Sequence, residues 1–135
     1  MRQGMQRVRL PEFLEIFVPT KDRVGRALSP AKLREWKTRL ADYLLDDLNV
    51  TGFHESKREG VWRSKRREAR EYDPRTDRLS VVRERVHVLR TSCTKSQREA
   101  FERRGEALLL DMGQALNQEA VAYETRYGLV ILFMS

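Results

Sequence analysis

Two helix-start signals, each with an amphipathic stripe behind it and a strand-like segment before it, constrain the fold of this chain more than any other feature. Ser29-Pro30 opens the first. Serine caps free N–H groups there, and proline at the first helical position loses no hydrogen bond. Leu33, Trp36, Leu40, Tyr43, Leu44 and Leu48 then recur at helical spacing, Lys32, Arg34, Glu35, Arg39 and Asp42 fill the other face, and Asn49 stops the helix. Thr94-Lys95-Ser96-Gln97 opens the second as a capping box, in which threonine and glutamine each satisfy a free backbone N–H. Its stripe is Phe101, Gly105, Leu108, Leu109, Met112, Ala115 and Leu116, and glycines at 105 and 113 predict close approach to a sheet.

The segments between them read as strands. In Phe13 to Val18, Leu14, Ile16 and Val18 fall on one side and Phe13, Glu15 and Phe17 on the other; Pro19 ends the strand and residues 20–26 form a solvated loop. Val50 to Phe53 starts a second strand, interrupted by Gly52, and Gly60-Val61-Trp62-Arg63 continues it along a hairpin arm whose turn lies at Tyr72-Asp73-Pro74. A third strand spans Leu79 to Leu89. Its alternation predicts Val86 and Val88 against the helices and Arg83, Arg85 and His87 on the free face, with a bulge needed to reconcile Leu79 and Val81. Glu119 to Thr125 and Leu129 to Phe133 are extended, with Gly128 as a bend or tight hairpin. Strand, helix, strand, strand, helix, strand is the order of a ferredoxin-like α+β sandwich, predicted over residues 10–135 behind a flexible basic N-terminus at 1–9.

Composition narrows the class. At 135 residues one compact unit is expected, and 40% hydrophobic content suffices for a core. Cys93 has no second cysteine with which to form an internal disulfide. The apolar run Leu129 to Met134 is far shorter than a bilayer span, and residues 1–7 hold no apolar segment that would serve as a secretory signal, so a cytoplasmic protein without membrane contact is expected. The amphipathic first helix carries Asp42, Asp46 and Asp47 near its end, which an anionic surface repels.

The chain resembles a set of small bacterial proteins of unassigned function. The residues that carry the resemblance are Phe17-Val18-Pro19-Thr20-Lys21-Asp22, the Thr51-Gly52 step, Gly60-Val61-Trp62 and Gln118-Glu119-Ala120-Val121. It departs from that pattern in its arginine-rich arm, Lys65 to Arg78. The resemblance implies the ferredoxin-like fold and brings no established active site with it.

Clustered charge is the strongest functional signal. Lys plus Arg number 27 and Asp plus Glu 20, so 27 − 20 = +7 with histidine neutral. Lys57, Arg58, Arg63, Lys65, Arg66, Arg67 and Arg70 face only Glu59 and Glu68 within their stretch, enough to attract a phosphate backbone. Trp62 and Tyr72 flank the run, and an aromatic ring among arginines stacks on unpaired bases, which points to RNA or single-stranded DNA. The alternatives are a solvated hairpin whose arginines pair with Glu55, Glu59, Glu68, Glu71 and Asp73, with Trp62 facing the core, or an adaptor for an acidic protein. The free sheet face, with Phe13, Phe17, Leu79 and Val81, is expected to be covered by a second subunit as a homodimer. The third strand lacks the Gly-Phe-Gly-Phe signature of an ordinary RNA-recognition domain. An enzyme of the dimeric-barrel or ribonuclease type would draw on His87 with Glu84 or Arg85, since only His54 and His87 supply imidazoles. No glycine-rich phosphate loop and no zinc-spaced His or Cys pair is present, so no metal or cofactor is expected.

Overall fold

A computed structural model describes residues 4–63, 71–73 and 78–134. Strands β1 (Glu12–Val18), β2 (His54–Arg63), β3 (Glu71–Asp73), β4 (Arg78–Cys93), β5 (Ala120–Thr125) and β6 (Gly128–Phe133) form one antiparallel sheet. Its order is β2-β4-β1-β5-β6, with β3 pairing β4. Helices α1 (Pro30–Asp42), α2 (Lys95–Ala100) and α3 (Glu106–Ala115) supply the other layer. Without β3 and β6 this is the ferredoxin-like βαββαβ arrangement, and the α+β fold class stands as expected. Gly4 to Arg9 is exposed and has neither helix nor strand.

The two helix starts form as their sequences dictate. Ser29 Oγ accepts from Lys32 N–H, with Pro30 in the first turn. Thr94 and Gln97 complete a reciprocal capping box. The helix bodies are less regular. α1 runs into a π turn over Tyr43–Asp47, closed by the Leu48 N–H to the Tyr43 carbonyl at 2.9 Å, before Asn49 turns left-handed at φ 58°. A second π turn, Phe101–Gly105, joins α2 to α3, and Asn117 ends α3 at φ 52°. The two π turns touch through their aromatics: the Phe101 ring meets Tyr43 at 6.1 Å and Tyr123 at 5.0 Å, edge to face.

One apolar cluster fills the space between helices and sheet. Leu14, Ile16 and Val18 of β1 meet Trp36, Leu40 and Leu44 on one side and Phe101, Leu109, Met112 and Leu116 on the other. Gly113 lets α3 close on the sheet, as its sequence context predicts, because a Cβ there would lie 2.9 Å from Val121. Gly105 does not serve the sheet; a Cβ there would lie 2.4 Å from the Phe101 ring.

Three expectations are corrected. Val50 to Phe53 forms no strand: Val50 drops into the core below Asn49, the Thr91 hydroxyl donates to the Gly52 carbonyl at 2.6 Å, and β2 starts at His54. Ile16 pairs with Leu89 and Val18 with His87, so His87 and Arg85 lie on the helix side of β4 while Val86 and Val88 lie on the helix-free side. Alternation misleads here because β4 buries residues on both faces; Val88 sits beside Phe17 and is fully buried without any helix above it. The β2–β4 register then runs without a shift from His54↔Arg90 to Arg63↔Val81, and the irregularity falls in β3, between Glu71 and Tyr72.

Gly128, at φ 124°, resolves the last segment as a β5–β6 hairpin. No described helix is long and apolar enough to cross a membrane.

Candidate functional site

β1 stays with β4 only as far as Val18↔His87, because Pro19 has no N–H to continue the ladder. β2 accompanies β4 for six further pairs, Arg58↔Val86 to Arg63↔Val81. At about 3.3 Å per residue this is a two-stranded ribbon of roughly 20 Å past the last β1 pair. Arg63 and Trp62 close β2, and Tyr72 is the middle residue of β3. Tyr72 and Asp73, expected in the hairpin turn, are strand residues of β3 paired with β4, while Lys65, Arg66, Arg67, Arg70 and Pro74 lie outside the described residues.

At the root of the ribbon the chain is fastened by Glu84. Its carboxylate accepts from the backbone N–H groups of Thr20 at 3.2 Å and Lys21 at 3.1 Å. The Thr20 hydroxyl donates to the Arg85 carbonyl, and Gln118 Nε2 donates to the Lys21 carbonyl at 2.7 Å. Side chains thereby do what the ladder cannot do past Pro19.

His87 faces the other way. Its Nδ1 is buried with no hydrogen-bond partner, 3.6 Å from Glu55 Oε1, which Lys37 Nζ holds at 2.7 Å. Burial, and then the Lys37 charge, push the imidazole below its ordinary range while Glu55 opposes them, so His87 is neutral at pH 7. Strand alternation puts Glu84 on the opposite face of β4, so the grouping of His87 with Glu84 is not assembled. Arg85 shares the face of His87 and is exposed, opposite Glu59. Among the described residues no group of three or more His, Cys, Asp or Glu is placed to hold a metal ion. Cys93 is fully buried, and burial raises its thiol to about 11, which makes it a packed residue and a poor nucleophile.

The helix-free face has an ionic end and an apolar middle. Glu15 sits in it with its side chain 4% exposed, held by Arg58 through two 2.9 Å hydrogen bonds and by Arg90 at 2.5 Å. The Arg58 hydrogen bonds lower the carboxyl from its ordinary value, burial opposes them, and Arg90 adds to the lowering. Arg90 also lies 4.2 Å over the Phe13 ring. Arg58, a member of the basic run, therefore spends its charge on an internal carboxylate. Val86, Val88, Ala122 and Phe17 make the apolar middle, and at the sheet edge Leu129, Ile131 and Phe133 stand 49%, 43% and 59% exposed. Phe13 and Phe17 occupy this face as predicted; Leu79 and Val81 are described only as strand positions.

Sequence reasoning missed Glu15 and a second buried acid, Glu12, which pairs with the equally buried Arg98 of α2. Two carboxylates inside the apolar strand Glu-Phe-Leu-Glu-Ile-Phe-Val were the available signal, since a buried charge demands a partner.

No protein-family model matches the chain, and no curated protein does. Among solved structures it is similar to a phage SAM lyase in the apo state, at TM-score 0.61 and 13% identity over 97% of this chain and 96% of the other. A phage SAM lyase in complex with S-methyl-5'-thioadenosine gives TM-score 0.57 and 14% identity over 96% and 95%. At this identity the likeness establishes a shared fold, whole chain to whole chain.

Proposed function

We propose that the protein is a self-associating binding module that contacts RNA or single-stranded DNA through its arginine-rich ribbon. The observation that carries this reading is the departure of β1 at Pro19, after which β2 and β4 continue alone toward the most basic stretch of the chain. Arg63, Lys65, Arg66, Arg67 and Arg70 neutralise phosphates in this reading, and Trp62 or Tyr72 offers a stacking surface. Arg58 is left out of the set because Glu15 engages both ends of its guanidinium.

Changing Lys65, Arg66 and Arg67 together to alanine will weaken binding of a fluorescent single-stranded oligonucleotide. It will also flatten the log–log salt dependence by roughly 2, about 0.7 for each phosphate that is no longer neutralised. Fluorescence anisotropy at several salt concentrations measures both. Wild-type protein that ignores RNA and DNA oligonucleotides at low salt would sink the proposal.

A second reading, an enzyme acting on SAM, draws on the whole-length likeness to phage SAM lyases. It predicts that the protein consumes SAM, followed by chromatography, and that S-methyl-5'-thioadenosine raises the melting temperature as a ligand of the folded state must. No loss of SAM and no thermal shift would remove it.

A further inference from the structure

The two edges of the sheet differ in a way that assigns one of them to self-pairing. Edge strands expose unpaired backbone groups, and proteins usually blunt them with charge, proline or bulges. β2 is blunted: His54-Glu55-Ser56-Lys57-Arg58-Glu59 holds four charges in six residues. β6 is not. Its sequence Gly-Leu-Val-Ile-Leu-Phe has no charge and no proline, and its register with β5 is unbroken from Ala120↔Phe133 to Thr125↔Gly128.

The direction of the β6 backbone follows from one bond. The Met134 N–H donates to the Glu119 carbonyl at 2.9 Å, so residues 134, 132 and 130 direct their backbone groups to β5. Antiparallel ladders alternate, hence Leu129 and Ile131 turn theirs outward, away from the sheet. The side chains most exposed on β6 belong to this same alternate set.

From these observations we propose that β6 pairs antiparallel with β6 of a second copy, about a two-fold axis at Ile131. The proposal rests on the self-association put forward above and names its location. In this register Ile131 faces its own counterpart and exchanges both backbone hydrogen bonds with it. Leu129 faces Phe133 of the second copy, a smaller side chain against a larger one. No like charges oppose each other, which matters for a chain of net charge +7, whose copies repel through most other surfaces. An isologous contact of this kind closes at two subunits and leaves both ribbons outside it.

The test uses the full chain. Wild type is expected to run at twice 16.0 kDa in light scattering at micromolar concentration, and Ile131→Lys at the monomer mass with an unchanged circular dichroism spectrum. In a second variant, Ile131→Cys, a short bismaleimide will convert most of the protein into a covalently linked dimer, because the Cα atoms of a hydrogen-bonded antiparallel pair lie only about 5.5 Å apart and the two thiols fall within reach of its spacer. Cys93 is fully buried and does not compete, and Leu110→Cys, on the exposed side of α3, is the control that stays monomeric on a denaturing gel. A monomeric wild type overturns self-association altogether. A dimeric wild type whose Ile131→Cys variant does not cross-link overturns the β6 contact and leaves self-association through the helix-free face standing.

Discussion

Replacing Arg98 by methionine will destabilise the protein by about 3–5 kcal/mol, among the largest effects available to one substitution here. Arg98 and Glu12 are both buried and paired to each other, and the pair ties α2 to the first residue of β1. Truncating the cation leaves the Glu12 carboxylate with no counter-charge in a dry place. Glu102, the other acid on Arg98, sits one helical turn away and reaches water, so its release costs little. A drop in Tm of roughly 10–20 °C is expected by calorimetry. Adding Glu12→Gln should recover much of it, since a neutral amide is far cheaper to bury than an orphaned charge. If Arg98→Met alone melts within a degree or two of wild type, the pair carries no weight in the fold.

The second large effect concerns the π turn between α2 and α3. Phe101→Ala removes a fully buried ring that touches both Tyr43 and Tyr123, and will cost about 3–5 kcal/mol. Gly105→Ala alone will cost about 1–3 kcal/mol, because the added Cβ meets the Phe101 ring at 2.4 Å and that ring is hemmed in by two tyrosines. Together the two changes will not add. Once the ring is gone the same methyl occupies part of its space, and alanine gains about 1 kcal/mol over glycine in a helix. The double variant is therefore expected to unfold at higher denaturant than Phe101→Ala, a reversal of sign that urea titration reads directly. A double variant less stable than Phe101→Ala would show that something other than the ring fills the space at Gly105.

Local chemistry was legible in the sequence and long-range pairing was not. Ser29-Pro30, the Thr94–Gln97 box and Asn49 act within one helical turn, so residue type and spacing suffice to read them. Glu15 answers to Arg58 and Arg90, 43 and 75 residues away, and Glu12 to Arg98, 86 away; nothing near either acid marks its partner. Alternation placed β1 correctly, since its helix-free side carries Glu15 among aromatics. It failed on β4, where valines are buried on the face that has no helix. The π turns escaped because each slips the helical phase by one residue, too small a change to disturb a stripe of leucines. The ribbon was foreseen as far as Arg63, and its outer basic residues lie beyond what is described.

Pro19 divides the labour of the two longest strands. Inboard of it, β4 is gripped on both sides and its register is set by buried side chains; outboard, β1 is gone and β4 pairs with β2 and then the short β3. Beyond Glu84, whose carboxylate still holds Thr20 and Lys21 of the body, sequence change is thus insulated from the folding of the rest. Evolution or an engineer can lengthen, shorten or recharge that appendage, and so retarget it, without renegotiating the body that carries it.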